Sequence, residues 1–195
     1  MNEDIVLSMF RDSEALLEGH FLLTSGLHSN QYFQCARVLQ YPKYCEALCR
    51  EIARHFASGS VDAVVAPALG GIVVAQEVGR QLNARTMFTE RKENVMLLRR
   101  GFAVKEGERV LVCEDVITTG GSVGEVIAIV KKAGGHVVGT GCIVDRSGGT
   151  LKLPLDEGVV QHAVLTVKVV TYKPDACPLC RDGVPIVKPG SRGDV

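Results

Sequence analysis

The chain has 195 residues, of which 46% are hydrophobic, and its 22 lysines and arginines balance its 22 aspartates and glutamates. A chain of this length can bury a sizeable core in one domain, and zero net charge gives no global field that would favour nucleic acid or a membrane. No apolar run reaches the length of a membrane span, and the N-terminal Met1-Asn-Glu-Asp4 lacks a signal peptide's basic start, so we expect a cytoplasmic protein.

The first forty residues are predicted to form a small hood. An apolar face at helical spacing predicts a helix over the first seventeen residues. Its members are Ile5, Met9, Ala15 and Leu16, with Phe10 and Leu17 beside them. Residues 20–39 then predict two strands joined through residues 26–29, with aromatic side chains on the second strand. With the helix, this hairpin makes residues 1–40 a candidate cover for a ligand.

The middle of the chain alternates between short apolar runs and helices. Pro42 fits the first turn of a helix that ends at residues 58–60. The segments that follow, alternately strand-like and helical, are 61–67, 72–82, 85–89, 109–112, 122–133 and 136–144. This alternation predicts an α/β fold with a central, mostly parallel sheet flanked by helices. We expect one domain over residues 1–195, with the core sheet in 61–150 and a C-terminal tail in 172–195.

The most informative stretch runs from Val110 to Ser122. Its first residues suit a buried parallel strand, and its last five are small, hydroxyl-bearing or glycine residues. Gly120 and Gly121 let backbone N–H groups come close around an anion, at the positive end of the next helix. Glu114 and Asp115 would repel a phosphate, so sugar hydroxyls or a metal suit them better. The alternative interpretation is a capped strand-to-helix turn without a ligand.

Further candidate segments are expected at the same edge of the sheet. Residues 67–71 and 145–149 each follow a predicted strand, and ligands bind outside the carboxyl ends of such strands. Residues 90–102 add a cluster of cations. These are Arg91, Lys92, Arg99 and Arg100. An isolated charge cluster is usually a solvated hairpin, but this one precedes the phosphate loop, which favours a mobile arm that neutralises a polyphosphate.

The residues from Cys113 to Ser122, read Cys-Glu-Asp-Val-Ile-Thr-Thr-Gly-Gly-Ser, resemble the phosphoribosyl diphosphate signature of type I phosphoribosyltransferases. Residues 21–33, 91–93 and 145–146 resemble the orotate-specific branch of that family, and the resemblance covers nearly the whole chain. It implies transfer of the phosphoribosyl group from phosphoribosyl diphosphate to N1 of orotate. The products would be diphosphate and orotidine 5′-phosphate, a step in pyrimidine (UMP) synthesis.

The same resemblance implies a role for each matched residue. Glu114 and Asp115 would hold the ribose hydroxyls, Tyr32 and Phe33 would lie beside the pyrimidine ring, and Arg146 would bind the carboxylate of orotate. The residues implied to wrap the 5-phosphate are Val116, Ile117, Thr118, Thr119, Gly120, Gly121 and Ser122, with Thr118 close to both substrates. The implied catalytic residues are Arg91, Lys92 and Asp115.

The catalysis that the resemblance implies is electrostatic, without a side-chain nucleophile. Positive charge would gather on the ribose and negative charge on the departing diphosphate, which Mg²⁺, Arg91 and Lys92 would stabilise. In this family the loop cations reach the substrate of a neighbouring subunit, so a homodimer is expected. No protein residue is predicted to ligate a metal directly, and neither nucleic acid nor a membrane is an expected partner.

Other functions stay open at this point. A non-enzymatic regulator could keep the loop as a sensor of phosphoribosyl diphosphate, although no helix-turn-helix or basic arm is evident. Another nucleobase could be the acceptor, although the hood and Arg146 favour an acidic pyrimidine. A dinucleotide-binding oxidoreductase is disfavoured because Gly120-Gly121 does not form a Gly-x-Gly-x-x-Gly turn.

The chain departs from the family pattern in three places. Many relatives carry lysine where this chain has Thr24 and Gly70, and they continue with a lysine and a histidine where this chain has residues 94–96. The candidates for supplying the missing charge are Arg37, Arg99, Arg100 and magnesium.

The cysteines predict reduced thiols. There are seven, an odd number for a disulfide framework, and most suit small core positions. Cys177-Pro-Leu-Cys180 has metal-ligand spacing, but a single pair is a weak zinc signal, so two free thiols in a packed turn are the favoured interpretation. His20, His28 and His162 receive no role from the sequence.

Overall fold

The computed structural model describes residues 1–23 and 25–189. Thr24, where the family pattern has lysine, lies outside the described residues, as do residues 190–195 of the predicted tail.

The core is a six-stranded sheet. Its strands are β3 (Ala63–Pro67), β4 (Arg85–Lys92), β5 (Val95–Leu98), β6 (Arg109–Ile117), β7 (His136–Asp145) and β8 (Val160–Thr166). They lie in the order β5-β4-β3-β6-β7-β8, and every pairing is parallel except the hairpin of β4 with β5. The prediction of a mostly parallel sheet is therefore confirmed, and β8 adds a strand that the sequence pattern did not indicate.

Helices cover both faces of this sheet. The long helices are α3 (Pro42–Phe56), α4 (Gly70–Leu82) and α5 (Gly121–Lys132). Alternate residues of each strand enter opposite apolar clusters: Val64 packs with α3 and α4, whereas Val65 packs with α5. Among the described residues, none of the helices combines the length and apolarity that crossing a membrane requires.

Two glycines of β7 let α3 approach the sheet closely. A Cβ atom on Gly139 would lie 2.2 Å from Cε1 of Phe56, and one on Gly141 would lie 2.5 Å from Cγ2 of Ile52. Both distances are far below van der Waals contact, so a side chain at either glycine would push the helix away from the sheet.

The hood consists of a helix and a second, smaller sheet. Helix α1 (Glu3–Asp12) precedes β1 (Leu16–Leu22) and β2 (His28–Phe33), which pair antiparallel. The tail returns to this hairpin, because β9 (Thr171–Tyr172) pairs with β2 and Val187 forms a bridge with Phe21. Between these contacts lie a 3₁₀ turn, Pro174–Ala176, and the short helix α6 (Pro178–Arg181). The predicted hood is thus present.

Two local predictions in the hood were wrong. The first helix ends at Asp12 because Glu14 adopts a left-handed conformation with φ of 52°. Its buried face is formed by Val6 and Phe10, whereas Ile5 is exposed. Residues 35–39, predicted as the end of a strand, form helix α2 (Cys35–Leu39). Helix α2 buries Cys35, Val38 and Leu39, whose spacing matches one helical turn.

Candidate active site

A cavity of about 990 Å³ opens at the carboxyl ends of β3, β6 and β7 beneath the hood. Most residues assigned to the site from the sequence line it. They are Tyr32, Phe33, Arg91, Glu114, Asp115, Val116, Thr118, Thr119, Gly121, Ser122 and Arg146. The assigned residues outside its lining are Lys92, Ile117 and Gly120. Strand β6 runs further than its apolar start indicated, so Glu114 to Ile117 are strand residues and the loop itself begins at Thr118.

The acid pair lies at the end of β6 against the N-terminus of α4. The Asp115 N–H donates to Oε1 of Glu114 at 3.1 Å, and the Val116 N–H donates to Oδ1 of Asp115 at 2.9 Å. Burial, followed by the neighbouring Asp115 carboxylate, raises the pKa of Glu114 well above its ordinary value. A ligand that donates hydrogen bonds or carries positive charge would relieve this unfavourable pairing.

Gly70 and Gly71 make room for the acids. A Cβ atom on Gly70 would lie 2.2 Å from Oδ2 of Asp115, and one on Gly71 would lie 3.1 Å from Oε1 of Glu114. The glycine at position 70 therefore lets Asp115 approach the helix terminus closely. The sequence drew attention to residues 67–71, but it did not indicate this contact.

The loop between β6 and α5 has the backbone geometry of a helix N-terminus with free N–H groups. Gly120 has φ of 72°, and a Cβ atom there would lie 2.7 Å from Cδ2 of Leu151 and 2.8 Å from Cδ2 of Leu153. The N–H group of Gly124 donates to the carbonyl oxygen of Gly120. In the described parts of the chain, this is the first N–H group of α5 that bonds to a backbone carbonyl. The preceding N–H groups remain available to an anion at the positive end of the helix.

The aromatic pair of β2 and Arg146 lie on the hood side of the cavity. Phe33 is buried and packs edge to face against Phe10, with ring centroids 5.6 Å apart. Tyr32 faces Arg146, with the guanidinium carbon 5.7 Å from the centre of its ring. This geometry is typical of a cation–π contact.

Arg146 is a partly buried cation whose Nε atom has no fixed partner among the described residues. That atom is inaccessible to solvent and has no hydrogen-bond partner among the described residues. Burial lowers the pKa of the Arg146 guanidinium from its ordinary value, and burial is also the main cause of the raised pKa of Tyr32. A planar anion such as a carboxylate would satisfy the guanidinium through two parallel hydrogen bonds.

The cationic segment is a tight β-hairpin. Glu93 and Asn94 connect β4 to β5 with positive φ angles of 53° and 65°, as two-residue hairpin loops require. Arg91 lines the cavity and donates to Oε1 of Glu125 at 2.8 Å. Successive strand residues point to opposite faces, so Lys92 is directed away from the face of Arg91. Glu125, one turn into α5, was not singled out from the sequence.

The three arginines considered as substitutes for the missing lysines pair outside the cavity. Arg37 forms a salt bridge with Glu14 at 3.4 Å. Arg99 and Arg100 both pair with Glu90, at 3.3 and 3.0 Å. None of the three is among the cavity-lining residues, so in this conformation they do not replace the absent charges.

Comparison with known proteins identifies relatives over the whole chain. A family model described as a phosphoribosyl transferase domain matches residues 37–161. The orotate phosphoribosyltransferase of Chlorobium phaeobacteroides (strain DSM 266) is 56% identical over 194 residues, which is 100% of this chain and 98% of that protein. The orotate phosphoribosyltransferase of Caldicellulosiruptor bescii is 55% identical over 192 residues, which is 98% of this chain and 99% of that protein.

Solved structures agree with these matches. The crystal structure of orotate phosphoribosyltransferase from Aeropyrum pernix has a TM-score of 0.69 and 25% identity, with 84% of this chain and 94% of that chain covered. An adenine phosphoribosyltransferase from Rhodothermus marinus has a TM-score of 0.67 at 21% identity, covering 84% of this chain and 99% of that chain, and shows the shared fold alone. The fold therefore does not distinguish between acceptor bases, whereas the full-length relatives share one activity.

Proposed function

The chain belongs to the phosphoribosyl transferase domain family, and we propose that it acts in that family as an orotate phosphoribosyltransferase. Its full-length relatives at 55–56% identity carry that name. The reaction joins C1 of the ribose in phosphoribosyl diphosphate to N1 of orotate and releases diphosphate. The products are orotidine 5′-phosphate and diphosphate.

The observation that carries the choice of orotate is Arg146. Adenine, hypoxanthine and uracil are neutral, whereas orotate has a carboxylate on its pyrimidine ring. A partly buried guanidinium lines the cavity beside Tyr32, and its Nε atom has no partner among the described residues, so it offers a site for that carboxylate. A neutral base would cover the guanidinium without pairing with it, which is costly for a partly buried charge.

Two groups would hold phosphoribosyl diphosphate. The free N–H groups and hydroxyls of residues 118–122 would bind its 5-phosphate, because they form a nest at the N-terminus of α5. Glu114 and Asp115 would accept hydrogen bonds from the ribose hydroxyls, because their adjacent carboxylate oxygens are hydrogen-bond acceptors. Asp115 would also stabilise the positive charge that develops on the ribose ring as the bond to diphosphate breaks.

Magnesium fits the same acidic corner. Glu114 and Asp115 present adjacent carboxylate oxygens, which are the ligands this cation prefers, and they would hold it directly or through water and ribose hydroxyls. When bound, Mg²⁺ would neutralise charge on the diphosphate leaving group.

Arg91 would stabilise the departing diphosphate after leaving Glu125. Lys92 is exposed and directed to the other face of the hairpin, where it would suit a substrate held by a second subunit. We therefore propose a homodimer in which the hairpin of one subunit contributes Lys92 to the site of the other. Its test is a mixture of Lys92→Ala and Asp115→Asn subunits, each of which should have little activity alone.

Reassociation of those subunits would make about half the dimers mixed, and each mixed dimer would contain one intact site, so about a quarter of wild-type activity should return. A monomer in light-scattering measurements, or no gain of activity on mixing, would contradict the shared site.

The proposed reaction is tested with purified protein, phosphoribosyl diphosphate and magnesium, together with orotate, uracil, adenine or hypoxanthine. Base consumption and diphosphate release are followed in parallel. We expect turnover with orotate and at least about a hundredfold lower kcat/KM for the neutral bases, because they lack the group that pairs with Arg146. Preferred turnover of a neutral base would overturn the choice of substrate, and no release of diphosphate with any base would favour a sensor.

A further inference from the structure

Four side chains with metal-binding atoms meet outside the active-site cavity. They are His20 in β1, His28 in β2, Cys177 immediately before α6, and Cys180 within it. Their ligand atoms all lie within 4.8 Å of one another. His20 and Cys177 are separated by 157 positions in the chain, so the fold rather than a local motif creates this cluster.

The distances agree with the edges of a tetrahedral zinc site. Zn–N bonds of about 2.0–2.1 Å and Zn–S bonds of about 2.3 Å give edges of about 3.3 Å between two nitrogens and about 3.6 Å between nitrogen and sulfur. Nε2 of His20 lies 2.9 Å from Nδ1 of His28 and 3.6 Å from Sγ of Cys177. Sγ of Cys180 lies 3.3 Å from Nδ1 of His28 and 3.8 Å from Nε2 of His20. The two remaining separations, from Sγ of Cys177 to Nδ1 of His28 and to Sγ of Cys180, are at most 4.8 Å, so movements of up to about 1 Å would bring all four atoms around one ion.

Hydrogen bonds alone do not satisfy this cluster. Nδ1 of His20 lies 2.8 Å from the carbonyl oxygen of Val184, so Nδ1 carries the proton and donates it there. Nε2 of His20 then has one lone pair, but it faces His28 and both cysteines. One lone pair cannot bond three neighbours well, whereas a cation at their centre would bond all of them. The contact with a backbone carbonyl is also the outer-shell support that metal-bound histidines commonly have.

The surroundings match a structural metal site. His20, His28 and Cys177 are 3%, 7% and 4% exposed, whereas Cys180 lies at the surface, where an ion could enter. The two negative charges of two thiolates would offset the charge of Zn²⁺, with the two imidazoles neutral, and the two thiols would release their protons on binding. Four protein ligands leave no open position, which is typical of structural rather than catalytic zinc.

We propose that His20, His28, Cys177 and Cys180 bind a structural zinc ion that fastens the C-terminal tail to the hood. The sequence alone favours two free thiols at Cys177 and Cys180, because it offers no second ligand pair nearby. The structure supplies that pair from the hood hairpin. The ion would stiffen β2, the strand that also carries Tyr32, and would thus connect the tail to the base end of the cavity.

The first test is the metal content of the untagged, full-length protein, purified under reducing conditions without chelators. Mass spectrometry of the metals should find about one zinc per chain. Cys180→Ser should lower the zinc content at least about tenfold, because a hydroxyl is a much poorer zinc ligand than a thiolate. Cys45→Ser is the matched control, since Cys45 lies in α3 away from the cluster, and it should retain the metal.

The second test uses spectroscopy and stability, which do not depend on turnover. Replacement of zinc by Co²⁺ should give the intense visible absorption of tetrahedral cobalt and thiolate-to-cobalt charge-transfer bands, and both should disappear in His28→Gln but not in His136→Gln. Removal of the metal should lower the Tm, and added zinc should restore it.

Three results would overturn the proposal. They are a metal-free protein whose Tm does not respond to stoichiometric zinc, a cobalt spectrum without thiolate bands, and a Cys177–Cys180 disulfide in the protein as purified under reducing conditions. Because all three are read without substrate, they are independent of whether orotate is the acceptor.

Discussion

Replacing Arg146 by alanine removes the partly buried cation while leaving the phosphate nest and the acid pair in place. Two hydrogen bonds between the guanidinium and the orotate carboxylate, each worth about 1.5–3 kcal/mol with a charged partner, would be lost. A loss of about 3–4 kcal/mol corresponds to a decrease of several hundredfold in kcat/KM for orotate. Arg146→Lys keeps the charge but not the two parallel bonds or the contact with Tyr32, so about a tenfold decrease is expected.

The same substitution predicts unchanged or increased folding stability. Burial lowers the pKa of Arg146, which means that the folded environment disfavours its charged form. The guanidinium is charged in the unfolded chain at neutral pH, so burying it opposes folding. Removing it should therefore not lower the Tm, whereas a structural arginine would show the opposite behaviour.

The assay is initial-rate kinetics with varied orotate at saturating phosphoribosyl diphosphate. A second series varies phosphoribosyl diphosphate at saturating orotate. The KM for phosphoribosyl diphosphate should change less than about threefold, since Arg146 does not face that substrate in the proposed arrangement. Arg99→Ala serves as the control, because Arg99 pairs with Glu90 outside the cavity. An unchanged KM for orotate, or a loss of activity that parallels a loss of stability, would refute the assignment.

Three further predictions concern other parts of the molecule. Gly70→Ala places a Cβ atom 2.2 Å from Oδ2 of Asp115, so the carboxylate must move, and the KM for phosphoribosyl diphosphate should rise by about tenfold. Glu125→Gln weakens a partly exposed ion pair and frees Arg91, so the same KM should fall by about two- to threefold in rate measurements at low salt. Burial lowers the pKa of His162 from 6.5, so the unfolded chain binds that proton first and stability should fall as the pH drops below about 6.5. A single histidine changes the free energy of unfolding by at most about 1.4 kcal/mol per pH unit. In urea unfolding at several pH values, His162→Gln should therefore show a smaller loss of this free energy below about pH 6.5.

Two of these predictions have a matched control, and each of the three has an outcome that counts against it. Gly124→Ala is the matched glycine substitution, because a Cβ atom there meets only ordinary contacts at 3.9 Å, and it should leave the KM unchanged. His136→Gln removes an exposed histidine and should preserve the pH profile. A normal KM in Gly70→Ala, a raised KM in Glu125→Gln, or an unaltered acid slope in His162→Gln would each contradict the corresponding argument.

The sequence predicts those features that depend on neighbouring residues. The alternation of apolar strands and helices gives the parallel sheet, and the order of acids, hydroxyls and glycines from Glu114 to Ser122 places them correctly at the end of β6 and the start of α5. Pro42 begins its helix as predicted. Local patterns suffice here because hydrophobic periodicity and glycine conformation act over a few residues.

The features that the sequence did not predict depend on long-range packing. Nothing near Gly70 indicates that its missing side chain makes room for Asp115, and nothing near Arg91 indicates its pairing with Glu125. The cluster at Cys177 is the clearest case, because its two histidines come from the opposite end of the chain. Secondary-structure errors such as helix α2 arise because five residues carry too little periodicity to separate a helix from a strand.

The most direct test of the site is a crystal structure of the protein with orotidine 5′-phosphate, the product that contains both the base and the phosphoribosyl group. The proposed arrangement predicts the 5-phosphate on the N–H groups of residues 118–122, the ribose hydroxyls against Glu114 and Asp115, and the base carboxylate paired with Arg146. A carboxylate in solvent, or a phosphate bound away from the nest, would contradict it.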